Sequence, residues 1–336
     1  MSNTRRVELI VHYLGQNISQ DLKPYLSQFS YTDNEGKSDD IQITLQDRDK
    51  KWQDPWLPRK GDTITAKIRT HNWSKEGEVS QLDCGTFHVD DIGFKGPPDA
   101  ITIKALSIPF NKGGKSSKKT RAWENVGLAT IASDIATTTG LSLIFDAPNH
   151  FYDRVDQSRE TDLAFIKRLA KKEGISVKVT KEQLVLYDEF TYESKSSIRT
   201  FTRGEQAIAS YDFKETAAEE QYQKVEVRYF DDTKKKELKY TYDVPGIEKG
   251  PTYKVNKRVK NLGEAMRWAK AEARRKNKGA KTGKLSLMGD VELVQGLTIQ
   301  IKGFGAFDGK YFIKSSAHRV GNKYTTDIDL REVLGY

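Results

Sequence analysis

A mainly β fold with an α+β insertion is the class this sequence predicts, on three observations. One pattern of strands and turns occurs twice, once near each end. Apolar and polar residues alternate through the outer parts of the chain, and helical periodicity is confined to a central stretch and to residues 261–277. The first copy of the pattern comprises residues 41–45, 61–68, 85–89 and 101–105; the second, in the same order, comprises residues 284–287, 296–301, 309–313 and 324–330. A repeat of this length predicts two similar β domains in one polypeptide, an arrangement suited to a partner of higher symmetry.

Residues 1–116 carry β-branched runs separated by Gly, Asp and Pro turns, which predicts an antiparallel β domain. Residues 117–190 predict a small α+β module. In it Trp123, Val126, Leu128, Ile131, Ala132 and Ile135 fall at helical spacing, Gly140 marks a stop, and residues 141–145 resume as a strand. A second helix has Ser158 as its cap and Glu160 and Asp162 in its first turn. Leu163, Ile166, Leu169 and Ala170 form one face, and Lys171, Lys172 and Gly174 close it. Strands follow at 175–179 and 183–187, with a turn over 180–182. Residues 191–336 hold a hairpin, a helix and the second copy: residues 225–230 and 238–242 are the hairpin arms and 231–234 its turn. Asn261 with Glu264 starts the helix as a capping box would, and Ala265, Met266, Trp268, Ala269 and Ala273 line it. Trp268 reads as a packing residue, with a binding aromatic as the alternative.

Composition narrows the function classes. An apolar fraction of 36% against 31% charged residues describes a soluble globular chain with a large wet surface. No apolar run approaches the roughly 18–20 residues of a spanning helix, and the first eight residues lack a signal-peptide core, so no membrane insertion and maturation in the cytosol are expected. A lone cysteine, Cys84, reads as a small buried hydrophobe. The histidines His12, His71, His88, His150 and His318 show no ligand spacing. A net charge of +9 and a pI near 9.2 raise the question of nucleic acid. Each basic cluster has a plainer reading: residues 112–119 as a Gly/Ser-rich linker, 234–236 as the hairpin turn, and 274–278 as a last helical turn whose cations complement the dipole.

Signatures of chemistry are missing. There is no Walker loop, paired cysteine set, His-Glu-x-x-His or Gly-x-Ser-x-Gly elbow. The glycine-rich stretch 303–309 joins two strands and reads as a long β turn rather than a phosphate cradle. Asp39-Asp40 and Asp90-Asp91 are neighbours that point to opposite faces of a strand, and read as solvated or turn-forming carboxylates. No residue is assigned a catalytic, cofactor-binding or metal-ligating role, no cofactor is expected, and the interface residues are left unassigned.

The order of these parts resembles the phage late control D family, the hub proteins of contractile tails, which are related in fold to the first half of VgrG. The resemblance is carried by Trp123-Glu124-Asn125-Val126 with Ile131-Ala132 leading to Gly140-Leu141, and by residues 160–170 leading to Gly174. It extends to residues 307–313 followed by His318 and Tyr324-Thr325-Thr326. It implies two tube-like antiparallel β-barrels flanking the module, and a homotrimer whose six barrels form a pseudo-sixfold ring. Such a ring would receive the hexameric tail tube protein on one side and a separate trimeric spike protein on the other, among other baseplate proteins. DNA would pass the lumen without specific binding. The implied location is a virion or phage-tail-like particle, assembled in the host cytoplasm, and the implied activity is binding. Two readings of other classes stand beside it: a peptidoglycan-binding or cell-wall-hydrolysing tail protein, since residues 123–190 faintly resemble LysM modules, and an OB-like nucleic-acid-binding protein.

Overall fold

Alternating side chains decide the first part of the chain. The computed structural model describes residues 4–107, 117–180, 183–216, 221–231 and 235–336. Its elements begin with β1 (Arg6–Tyr13), β2 (Gln16–Asn17), the short helix α1 (Ser19–Leu22), β3 (Leu26–Asn34), β4 (Asp40–Gln46), β5 (Thr63–His71), β6 (Val79–Lys95) and β7 (Ala100–Leu106). They pair antiparallel in the order β3-β4-β7-β6-β5-β1-β2. Every second residue of β4, β5 and β7 is buried: Ile41, Ile43 and Leu45; Ile64, Ala66 and Ile68; Ile101, Ile103 and Ala105. Val11 of β1, Phe29 and Tyr31 of β3, and Phe87 and Val89 of β6 join the same core, so the sheet curls around one apolar centre. The segment after β4 folds over one end of it, where Asp47 Oδ1 accepts the N–H of the buried Trp52 at 3.0 Å.

The middle part consists of β8 (Lys119–Gly127), α2 (Leu128–Thr139), β9 (Ser142–Asp146), β10 (Phe151–Glu160), α3 (Asp162–Lys172), β11 (Ile175–Val179), β12 (Gln183–Asp188) and α4 (Glu189–Ser194). A ribbon of β8 and β10 and a sheet ordered β11-β12-β9 enclose α2 and α3. Two sequence expectations are corrected. Trp123 and Val126 lie on β8, and the helix starts at Leu128 after the extended Gly127. Their apparent helical spacing arises because β8 lies over the same core, with the Trp123 ring stacked on Phe165 at 4.9 Å. Ser158 and Glu160 belong to β10; the cap of α3 is Thr161, whose hydroxyl accepts from Ala164 N–H at 3.2 Å. Gly140 does close α2, in the left-handed conformation.

The remaining elements are β13 (Arg199–Thr202), β14 (Ile208–Glu215), β15 (Lys224–Asp231), β16 (Lys236–Asp243), β17 (Thr252–Asn256), α5 (Leu262–Asn277), β18 (Lys281–Met288), β19 (Thr298–Lys302), β20 (Gly309–Val320) and β21 (Tyr324–Glu332). β15 and β16 are the expected hairpin arms, with β17 parallel to β15. α5 packs Ala265, Ala269 and Ala273 on this small sheet, and Asn261 caps it by accepting from Glu264 N–H at 2.9 Å. Trp268 is a packing residue there, with Lys172 over its ring at 5.0 Å. Between β19 and β20 a 3-10 turn at Gly305–Phe307 is tied by Phe304 N–H to Asp308 at 2.6 Å. The linker read at 112–116 and the turn residues 181–182 and 232–234 lie outside the described residues.

The repeat is real to the residue. The second half runs β14-β18-β21-β20-β19-β13, matching β3-β4-β7-β6-β5-β1 in both spatial and chain order, with β15–α5 inserted between β14 and β18. On β7, Ala105 faces Ile41 and Val89; on β21, Leu330 faces Gly283 and Ile313. One residue past Val89 and Ile313 the ladder skips Asp90 in one half and Lys314 in the other. The ladder of β3 with β4 skips Ser27, and that of β14 with β18 skips the corresponding Ala209. Gly61 and Gly296, at φ +88° and +94°, donate to the carbonyls of Val89 and Ile313 at 2.8 and 3.1 Å. The halves differ in strand direction at one place: β1 runs antiparallel to β5, whereas β13 runs parallel to β19.

The mainly β class holds, but the two tube-like barrels implied by the resemblance are open sheets among the described residues. Among the described residues no ladder joins β1 to β3 or β13 to β14. The reason in the first half is competition for an edge. The side of β3 that would meet β1 is occupied by β20, so both halves merge into one 13-stranded sheet.

Candidate functional site

The joint between the halves is built by β20, a strand with three partners. Its first residues pair with β19, and its last, from Ser315 to Val320, pair with β3, while β21 runs along the other side. The bulge at Lys314 separates the two stretches, and its carbonyl accepts the N–H of Glu35 at 2.9 Å. On the core face of this ladder His318, fully buried, stacks on Tyr31 at 6.0 Å. Its Nε2 lies 3.1 Å from the Leu293 carbonyl and therefore carries the proton, while Nδ1 faces the Tyr324 hydroxyl at 2.9 Å and Thr326 at 3.2 Å. Burial pushes this imidazole down to about 4. Ser316 Oγ is 3.0 Å from the same Nε2, but a protonated nitrogen cannot act as base toward it.

Behind the joint, a charged seam gathers all parts of the chain. Lys178 of β11 pairs with Asp33 and lies 3.6 Å from Asp39; the other Asp33 oxygen accepts the N–H of Gln295 at 3.0 Å. Lys278 bridges Glu189 at 3.1 Å and Glu35 at 3.5 Å. Arg331, 1% exposed, meets Glu193 at 2.5 Å and Glu189 at 3.3 Å, and Arg274 reaches Glu193 at 2.8 Å and the Tyr336 carbonyl. Buried ions are tolerated only when paired in this way. Burial would raise Glu189, yet Lys278 and Arg331 outweigh it and hold the carboxyl below its usual range. Asp39 has the opposite balance: burial, with Asp33 adjacent, lifts it to about 7 against the pull of Lys178.

This seam changes two readings of the sequence. Of the two alternatives, solvated or turn-forming, Asp39 is turn-forming, accepting the Asn34 N–H at 3.1 Å, but it is buried in the seam because the β3–β4 hairpin docks on β11; Asp90 and Asp91 are exposed. The cations of residues 274–278 do more than end a helix: Arg274 and Lys278 cross to carboxylates of α4, and Arg275 pairs with Glu272. Glu189 and Glu193 gave no local signal, since their meaning depends on partners far away in sequence. Cys84 is buried as expected, and burial pushes its thiol well up. Among the described residues, no group of three His, Cys, Asp or Glu side chains could hold a metal ion.

Two of the strand edges left unpaired among the described residues carry a large exposed apolar side chain at equivalent places of the repeat. One is the outer edge of β14, where Tyr211 is 46% exposed. The other is the end of β6 beyond its ladder with β5, from Asp90 to Lys95, where Phe94 is 53% exposed. Exposed edges with large apolar side chains are recognition surfaces or liabilities.

Comparison with known proteins places this architecture. The family described as phage tail baseplate hub (GPD) matches residues 114–324. A probable baseplate hub protein of Escherichia phage 186 is 31% identical over 174 residues, which are 51% of this chain and 42% of that protein, so the chain spans about two fifths of the curated relative's length. In fold, a tail protein from Neisseria meningitidis MC58 superposes with a TM-score of 0.73 at 12% identity, covering 97% of this chain and 96% of that one. A chain of the Francisella PdpA-VgrG complex gives 0.57 at 10% identity, over 98% of this chain and 53% of that one. The family match spans well over half of the sequence: this chain belongs to the phage tail baseplate hubs, as a structural protein of the tail baseplate.

Proposed function

We propose that the chain works as a homotrimeric symmetry adaptor. Two equivalent sheets in each of three copies supply six near-identical positions for a hexameric tail tube ring, while the features that differ between the halves repeat only three times and suit a trimeric spike. The observation that supports this is the residue-level repeat joined edge to edge: the two halves of one chain are related by one strand-pairing step, as successive members of a ring would be. On this reading residues 1–116, 117–190 and 191–336 act as first ring domain, spacer module and second ring domain. The hub acts by binding, without cofactor or covalent step, and DNA passes its lumen without sequence recognition. The seam of buried ion pairs supports it by fixing the angle between the halves, which a ring of defined size requires.

Mass measurement of the purified chain, alone and mixed with its tube and spike proteins, is the test. The expected result is a trimer, either alone or on mixing. A chain that stays monomeric in every mixture would rule the adaptor out. Retention on purified cell walls or steeply salt-dependent retention of short DNA would point to the other binding classes.

A further inference from the structure

Resting on the ring reading above, we propose where one copy joins the next: the outer edge of β14 pairs antiparallel with residues 91–96 at the end of β6 of a neighbouring copy, in the register that β3 and β20 use within the chain. The argument is one of equivalence. β20 corresponds to β6, with Lys314 and Asp90 as matching bulges; β3 corresponds to β14, with Ser27 and Ala209 as matching bulges. Inside the chain the stretch after the first bulge is covered by β3, whereas its counterpart on β6 has nothing on that side among the described residues. The same residue positions differ in burial accordingly. Phe29 is 0% exposed and its counterpart Tyr211 46%; His318 is 0% exposed and its counterpart Phe94 53%.

Transferring the register makes definite pairs. His318 opposite Tyr31 becomes Phe94 opposite Phe213, and Arg319 opposite Ser30 becomes Lys95 opposite Asp212. The first pair replaces a stacked His–Tyr contact by two phenyl rings, and the second sets opposite charges face to face, both favourable across an antiparallel ladder. The interface is heterologous, so it leaves no free copy of either edge once a ring closes. Burial of Phe94 and Tyr211 then accounts for the large apolar side chains at both open edges.

The full-length chain carrying both Lys95→Cys and Asp212→Cys tests this, because directly opposed residues lie within disulfide reach on either kind of ladder pair. Under mild oxidation of the assembled protein we expect covalent multimers ending at three copies, with no such product from either single variant. Lys95→Glu should weaken assembly about tenfold, as an unfavourable pair replaces a favourable one, and Lys95→Glu with Asp212→Lys should restore it. Both positions are exposed, so circular dichroism should show all variants folded. A wild-type trimer without crosslink, and indifferent to Lys95→Glu, would overturn the assigned edges and leave the adaptor intact. A wild-type chain monomeric even with tube and spike would overturn both.

Discussion

Single side chains at the joint set its response to pH. His318 is held neutral down to about 4, below the ordinary histidine value, by burial against Tyr31 and β21. The unfolded chain takes up this proton first, so the contribution is fully present above about 6.5 and is lost as pH falls toward 4. His318→Gln should flatten the loss of melting temperature across that window. Asp39 behaves in the reverse sense. With its native value lifted to about 7, it opposes folding above that pH, and the penalty fades as pH falls toward 4. Asp39→Asn should therefore raise the melting temperature at pH 8 and lose that advantage as pH falls toward 4; a variant less stable than the wild type at pH 8, with the deficit fading toward acid, would show that the Lys178 pair dominates instead. Cys84, buried with its thiol pushed up, should react with a thiol reagent only on unfolding. Its burial was legible from the apolar strand pattern around it. That of Asp39 was not, because nothing beside it in sequence announces Lys178.

At the scale of elements, equivalence makes paired predictions. Gly61 and Gly296 hold the same left-handed corner, and an added Cβ meets nothing within 4 Å at either. Ala at either position should therefore cost about 1–2 kcal/mol, the conformational term alone, and nearly the same in both, as read by denaturant midpoints. Arg331→Met should cost more, about 3 kcal/mol, since it leaves the buried Glu193 with Arg274 alone and Glu189 with Lys278 alone. Regular periodicity made β4, β5, β18 and α5 readable in advance, and Asn261 with Glu264 located the start of α5. β10 escaped because Phe151–Glu160 is largely exposed and polar, without clean alternation, so Ser158 stood out as a cap when the true one was Thr161. A polar ribbon strand carries little period-2 signal.

For the whole molecule, the duplicated pattern was visible because each copy is local, whereas the joint was invisible because its two strands stand at opposite ends of the chain. Pairing across that distance leaves no mark in composition or period, and the tube-like barrels implied by the family resemblance stay open in the first half, where β20 takes the edge of β3. That same distance has a consequence for biosynthesis. β3 emerges early from the ribosome, and the strand that covers it is among the last to be made. Until residues 315–320 are translated, its flank stays open to a strand from elsewhere, and a prematurely terminated chain keeps it so. Maturation of this edge thus reports that translation has reached β20, and a shortened product would carry the defect into aggregation rather than into a tail.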